Sequence, residues 1–243
     1  MKCRSCSAPL HHVVIDLGSA PLSNAYLTNI TLRRPEKWFP LRVLVCEECW
    51  LVQAEAYSRA AEIFNDEYAY FSSFSDTWLQ HSQAFQKEIT QKLSLNADSF
   101  VVEIASNDGY LLQYFARDGI PCLGIEPTAS TANAARAKGV ETLEVFFDST
   151  IAQKVRDHYG PADLIIGNNV LAHVPDPLDF LQGVAVLLSE NGVASFEFPH
   201  LLNLLTLNQF DTIYHEHFSY FSVTAVKNML ERCGLRLVRV KEI

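Results

Sequence analysis

The stretch Val101-Val-Glu-Ile-Ala-Ser-Asn-Asp-Gly-Tyr-Leu-Leu112 constrains this chain more than any other. A short apolar run meets small and polar residues, then a glycine, then a helical pattern. That order predicts a strand, a tight turn and a helix start, where backbone N–H groups and the helix dipole face an anionic or polar ligand. From there the pattern alternates. Strands are predicted at Phe100–Ala105, Cys122–Glu126, Glu141–Val145, Asp163–Gly167 and Val193–Phe198, with helices between them near Tyr110–Arg117, Ala129–Lys138, Thr150–His158 and Leu178–Leu188. Such alternation predicts an α/β fold, a doubly wound parallel sheet with right-handed crossovers. A helix at Val223–Arg232 and a last strand at Leu235–Val240 complete it.

Ahead of this pattern lies a different kind of segment. Cys3 and Cys6 form one C-x-x-C pair, and Cys46 and Cys49 a second. Two such pairs, in a sequence whose N-terminus lacks the apolar core of a signal peptide, read as a tetrahedral zinc site rather than disulfides or a redox motif. Four thiolates leave no open position, so the metal is expected to be structural, stabilising a small module. Residues 1–70 are therefore expected to form a zinc-ribbon-like domain with strands at His12–Leu17, Leu41–Val45 and Leu51–Gln53, and 71–243 the larger domain. Trp50 follows the second pair, where such knuckles favour glycine. Cys122 and Cys233 stand in apolar surroundings and read as core residues.

Between the two modules, Asp66-Glu-Tyr-Ala-Tyr-Phe-Ser-Ser-Phe-Ser75 reads as a polar-aromatic lid. Asp76 is expected to cap the helix carrying Trp78, Ser82, Phe85, Ile89 and Leu93 on one face. The net charge of −9 weighs against a nucleic-acid partner, because phosphate-backbone binding needs clustered Lys and Arg. No apolar run reaches the roughly 20 residues that span a bilayer, and a cytoplasmic location is the default expectation.

The turn selects among cofactors. A dinucleotide fold wants G-x-G-x-x-G, so that backbone can approach a pyrophosphate; here only Gly109 is present, which argues against NAD. Glu126 ends the second strand, where a carboxylate can accept both hydrogen bonds of a ribose diol. Phe146-Phe-Asp148 follows the third, offering an aromatic face and a carboxylate for adenine. Ribose and adenine contacts without a pyrophosphate loop point to S-adenosylmethionine.

Four stretches then carry a resemblance: Glu103-Ile-Ala-Ser-Asn-Asp-Gly-Tyr-Leu-Leu112, Gly124-Ile-Glu-Pro127, Asn168-Asn-Val-Leu-Ala-His-Val-Pro-Asp176 and Tyr214-His-Glu-His-Phe-Ser-Tyr-Phe-Ser222. Together they resemble the nucleotide-sugar C-methyltransferases, which include C-3 methyltransferases of dTDP-4-keto-deoxysugars and carry a four-cysteine zinc domain. The resemblance implies a class I methyltransferase sheet, S-adenosylmethionine as cofactor, zinc at Cys3, Cys6, Cys46 and Cys49, and a nucleotide-linked 4-keto sugar as substrate. It assigns the base for the α-proton to His217. Tyr214 and His173 would then be donors to the C4 oxygen or anchors of the sugar, Glu216 a sugar or His-orienting contact, and Tyr68 a further active-site tyrosine. Residues expected around the cofactor are Ser72, Glu103, Ala105, Ser106, Asn107, Gly109, Tyr110, Glu126, Pro127, Phe147 and Asn168. The family also adds a further strand and a C-terminal domain sharing the sugar site; neither is recognised here, so a truncated protein is expected. Two rivals stay open at this level: a zinc-ribbon rRNA methyltransferase, against which Asn168-Asn-Val-Leu171 lacks the Asn-Pro-Pro-aromatic signature, and a non-catalytic scaffold. Oligomeric state, the nucleotide and the methylated carbon are not readable from sequence.

Overall fold

The computed structural model describes residues 1–24, 26–57 and 71–243. In sequence order the strands are β1 (His12–Ala20), β2 (Phe39–Val45), β3 (Val52–Ala54), β4 (Val101–Ile104), β5 (Cys122–Ile125), β6 (Thr142–Leu143), β7 (Ala162–Asn168), β8 (Leu188–Glu197) and β9 (Ser219–Tyr220). The α-helices are α1 (Asp76–Leu93), α2 (Leu112–Arg117), α3 (Ala129–Ala137), α4 (Ser149–Tyr159), α5 (Pro177–Leu187), α6 (Leu201–Thr206) and α7 (Val223–Arg232). Two compact units result: one gathers Met1–Asn65, Leu171–Leu181 and Phe198–Ile243, the other Asp66–Val170 and Gln182–Glu197.

The second unit holds a five-stranded sheet in the order β6-β5-β4-β7-β8, every pairing parallel. Its central strand β4 is buried along its whole length, as parallel strands covered on both faces must be. Leu111, Leu112, Phe115, Val101, Leu164 and Ile166 pack together in its core, with Ile89 of α1 against them. Strand order reverses at β4, between β5 and β7, so a ligand crevice is expected beyond the carboxyl ends of β4 and β7. The expected α/β doubly wound sheet is what is observed.

The first unit is an antiparallel sheet, β1-β2-β3-β9, whose inner face packs Leu41, Val43, Val52 and Ala54 against Ile213 and Tyr220. The fourth strand comes from the far end of the sequence. Nothing in residues 1–70 announces that their sheet recruits Ser219–Tyr220.

Two local expectations are corrected. Ser75, not Asp76, caps α1: its side chain accepts from the Trp78 N–H, and its extended backbone (φ −102°, ψ 111°) is what an N-cap requires, whereas Asp76 is already helical. Leu235–Val240 forms no strand, because no strand among the described residues pairs with it, and Val238 and Val240 are exposed. Residues 58–70 lie outside the described residues, and with them the first half of the predicted lid and Tyr68. Phe71–Ser75, the described end of that segment, contains a 3₁₀ turn at Ser72–Phe74.

Candidate active site

The turn after β4 is built from alternating left-handed residues: Ala105 (φ 56°), Asn107 (φ 50°) and Gly109 (φ 74°). Non-glycine residues adopt this conformation at a cost of about 1–2 kcal/mol each, and the hydrogen bonds around the turn hold it. Ala105 and Ser106 donate their N–H groups to Ile125 O, Asn107 to Glu126 Oε2, and Gly109 to Ser106 O. These amides are engaged internally. Those four N–H groups therefore do not face a ligand.

Close approach of backbone explains both glycines near it. A Cβ at Gly109 would press on Ala135 and Val140 at 3.2 Å, and one at Gly124 would collide with the Ser106 side chain. Asn107 reaches out of the turn, its Oδ1 accepting from the Ser72 N–H at 2.9 Å. Asp108 is buried, accepts from Ser73 Oγ and pairs with Lys138 Nζ at 3.0 Å.

Three acidic groups sit among these elements. Glu126 accepts from the backbone N–H groups of Asn107 (3.0 Å) and Thr128 (2.9 Å); burial raises its pKa, and those two bonds oppose the shift. Glu103 on β4 is fully buried, and neither of its oxygens makes a hydrogen bond of normal geometry among the described residues. Burial raises its pKa well above the carboxylate range, only partly offset by the Tyr110 hydroxyl. A protonated carboxyl with unmet oxygens beside the crevice has the polarity to receive a ligand's polar group. Glu197 at the end of β8 pairs with His81 of α1 at 2.8 Å, and His81 stacks on Trp78, which lies 5.9 Å from the Tyr110 ring. Asn168 ends β7, in register with Glu197. Pro127 follows Glu126, and Phe147 approaches Gly183 closely enough that a Cβ there would touch its ring at 2.9 Å. Asp148 instead caps α4 through Ile151 N–H, which removes one oxygen from the adenine role expected of it.

In the first unit the four cysteine sulfurs lie within 4.8 Å of one another, with Cys3–Cys49 at 3.5 Å and Cys6–Cys46 at 3.4 Å. Zinc–sulfur bonds of about 2.3 Å place tetrahedral sulfurs about 3.8 Å apart, so the donor set fits the metal. The hydrogen bond with Cys49 lowers the pKa of the Cys3 thiol. The knuckles are alike: Ser7 (φ 63°) donates its N–H to Cys3 O and Trp50 (φ 63°) to Cys46 O, both at 3.0 Å. Trp50 thus occupies the left-handed position that glycine favours.

The same unit carries the Tyr-His-Glu-His segment. His217 is buried; its Nδ1 lies 2.8 Å from Thr212 O and its Nε2 2.9 Å from Tyr214 Oη. Since a carbonyl only accepts, Nδ1 carries the proton and Nε2 the lone pair, which takes the Tyr214 O–H. Burial first, then the neighbouring His173 ring 4.7 Å away, lower the His217 pKa to about 4; the Glu216 charge works in the other direction. His173 donates Nδ1–H to Glu216 O at 3.0 Å and is also lowered to about 4 by burial. Glu216 is buried, and its Oε1 accepts from Ser23 Oγ (2.9 Å) and Asn24 Nδ2 (2.7 Å). His215 donates to the carbonyls of Phe39 and Pro40 and so anchors the segment rather than binding a metal. Ser23 and Asn24 are contacts that sequence reasoning missed. They sit in an irregular stretch almost two hundred positions from Glu216, and no periodicity marks them.

Comparison with known proteins gives this arrangement its class. Residues 78–240 match the family model described as "Methyltransferase domain", and residues 3–64 that described as "Putative zinc binding domain". The chain belongs to the S-adenosylmethionine-dependent methyltransferases, with a four-cysteine zinc site in its N-terminal part. More particularly, it is similar to C-methyltransferase NovU of Streptomyces niveus, at 35% identity over 98% of this chain and 57% of that protein. The chain thus spans rather more than half the length of that relative. Among solved structures, a SAM-dependent methyltransferase from Archaeoglobus fulgidus shares the fold (TM-score 0.50, 16% identity, 63% of this chain and 68% of that one). So does magnesium protoporphyrin IX methyltransferase (ChlM) from Synechocystis, solved with bound SAH (TM-score 0.50, 16% identity, 66% and 74%). No helix among the described residues is long and apolar enough to cross a membrane.

Proposed function

We propose that this protein methylates a nucleotide-linked 4-keto-deoxysugar at a carbon next to the ketone. The observation that carries the reading is the fixed tautomer of His217, whose unprotonated Nε2 is aimed at a hydroxyl inside a buried cluster. The similarity to a C-methyltransferase along nearly the whole sequence supports carbon as the acceptor atom.

S-adenosylmethionine supplies an electrophilic methyl group when bound. Glu126 is assigned to its ribose diol: each oxygen already takes one backbone N–H, which fixes the carboxylate and leaves a lone pair on each for a hydroxyl. The protonated Glu103 with Tyr110, the Ser106–Asn107 turn, Ser72, Asn168 and Phe147 line the remainder. His217 Nε2 removes the α-proton. Its depressed pKa keeps it unprotonated at neutral pH at the expense of proton affinity, and the Glu216 charge restores part of that affinity. The Tyr214 O–H, which bonds Nε2 in the free protein, turns to donate toward the oxygen on which enolate charge develops and so frees the Nε2 lone pair for the α-proton. With its Nδ1–H committed to Glu216 O, His173 is assigned to anchoring the sugar rather than donating that proton to an enolate. Glu216 orients the segment through Ser23 and Asn24.

Transfer of a tritiated methyl group from S-adenosylmethionine tests this with two acceptors in parallel, a dTDP-4-keto-6-deoxyhexose and rRNA. Label appearing on a sugar carbon is the expected result. Label on rRNA alone, or on neither, overturns the reading.

A further inference from the structure

The four-cysteine module and the His217 segment meet in one sheet, and one residue joins them. β3 pairs with β9 (Val52↔Tyr220, Gln53↔Ser219), two residues beyond His217. Arg4 lies inside the first knuckle, between Cys3 and Cys6. Its guanidinium Nη1 donates to Ala54 O at 2.8 Å and to Phe218 O at 3.1 Å, and its carbon sits 5.5 Å from the Phe218 ring centroid. The Arg4 N–H donates to Gln53 Oε1 at 3.0 Å, while Gln53 Nε2 donates to Cys3 Sγ at 3.2 Å. A continuous path of hydrogen bonds therefore runs from a cysteine ligand, through a wholly buried glutamine and a half-buried arginine, to the carbonyl of the residue after His217.

We infer that Arg4 is a positioning residue for His217, through which the four-cysteine centre sets the geometry of the catalytic segment. The catalytic part of this inference rests on the reading of His217 as the base. The chemistry favours arginine specifically. Its Nη1 alone reaches Ala54 O, Phe218 O and, at 3.4 Å, Gln53 Oε1, while the planar guanidinium lies over the Phe218 ring, a stacking contact that a compact ammonium does not reproduce. Phe218 O also accepts from Ala54 N–H at 3.1 Å, and Phe218 N–H donates to Ala172 O at 2.8 Å. Both peptide groups of Phe218 are thereby held. Removing Arg4 leaves the Phe218 carbonyl held by the Ala54 N–H and takes away the cation packed over the Phe218 ring, which loosens the segment, and a displacement on the order of 1 Å at a base is enough to cost about a hundredfold in rate. The sheet alone does not replace this contact, since β9 is two residues long.

The test uses the full-length protein with Arg4→Met and Arg4→Lys. Expected for Arg4→Met are full zinc content, a dissociation constant for S-adenosylmethionine within twofold of the parent, and kcat lowered tenfold or more. The His217 Cε1–H resonance shifts, with its titration midpoint moved. Arg4→Lys recovers part of kcat and of the shift, and if Arg4→Met does not fold, Arg4→Lys is compared with the parent on the same readouts. An unmoved His217 resonance overturns the inference whether or not the protein methylates sugars, which separates its failure from failure of the proposed reaction. Loss of zinc in parallel with activity also overturns it, because Arg4 would then serve only the metal site.

Discussion

The two polar regions of this molecule are buried in opposite ways. The turn after β4 is assembled from residues close in sequence: Ala105 to Gly109, with Ile125, Glu126 and Thr128 one crossover away. The histidine cluster is assembled from far corners of the sequence, with Glu216 held by Ser23 and Asn24, His215 by Phe39 and Pro40, and Phe218 by Arg4. The charges differ as well. Around the turn, burial raises the pKa of acids; around His217, burial lowers the pKa of bases. A local scaffold suffices to build the turn, whereas the buried histidine cluster draws on contacts that only tertiary structure supplies.

The sharpest way to break this contrast is to remove the support of the non-local region. Cys46→Ser takes one of four thiolates from a metal whose binding is worth on the order of 10 kcal/mol to small zinc modules. We expect hydrogen-exchange protection to collapse through β1, β2, β3 and β9 while β4, β5 and β7 stay protected. Equal loss in both sheets would show that the regions are not separable. Next in size, Glu126→Ala should raise the dissociation constant for S-adenosylmethionine by tenfold or more, measured by calorimetry, as loss of a buried acceptor of two ribose hydroxyls implies. An unchanged constant would remove Glu126 from the cofactor.

The opposite shifts give opposite pH dependences. His173 and His217 fall from 6.5 to about 4, so between those values the unfolded protein binds protons that the folded one does not. Stability of the histidine unit therefore drops as pH falls through that window, by roughly 3 kcal/mol per histidine. Glu103, raised well above 4.5, is protonated when folded and ionised when unfolded, so its unit gains stability over the same descent. Unit-resolved hydrogen exchange at pH 7 and pH 5, corrected for intrinsic rates, should show the slopes with opposite signs. The smallest effect is a gain: Trp50→Gly relieves a left-handed tryptophan and should raise the stability of the zinc unit by about 1 kcal/mol in urea titration. A loss would mean that the exposed indole contributes more than its backbone costs.

What was legible in the sequence follows the same division. Helices such as Val223–Arg232 and the strands of the parallel sheet were readable because hydrophobic periodicity and turn residues are local signals. The four cysteines were readable as residue types at a telling spacing, whereas the Tyr-His-Glu-His segment drew its expected roles from the family resemblance. Ser23, Asn24 and Arg4 were not, since a serine, an asparagine and an arginine in loops look the same whether solvated or holding a buried partner. The strand predicted at Leu235–Val240 shows the reverse error: an alternating apolar pattern expresses a preference for a sheet, but a strand forms only where a neighbour offers hydrogen bonds. The turn after β4 was placed correctly, yet the direction of its amides depends on where Ile125 and Glu126 lie in three dimensions.

The central assignment is His217 as the base. Single-turnover methyl transfer by His217→Ala, with cofactor affinity measured on the same sample, tests it most directly. We predict a loss of at least about a hundredfold in the transfer rate, within the range general-base removal produces, and an S-adenosylmethionine dissociation constant unchanged within twofold. Transfer at the parent rate would contradict the assignment.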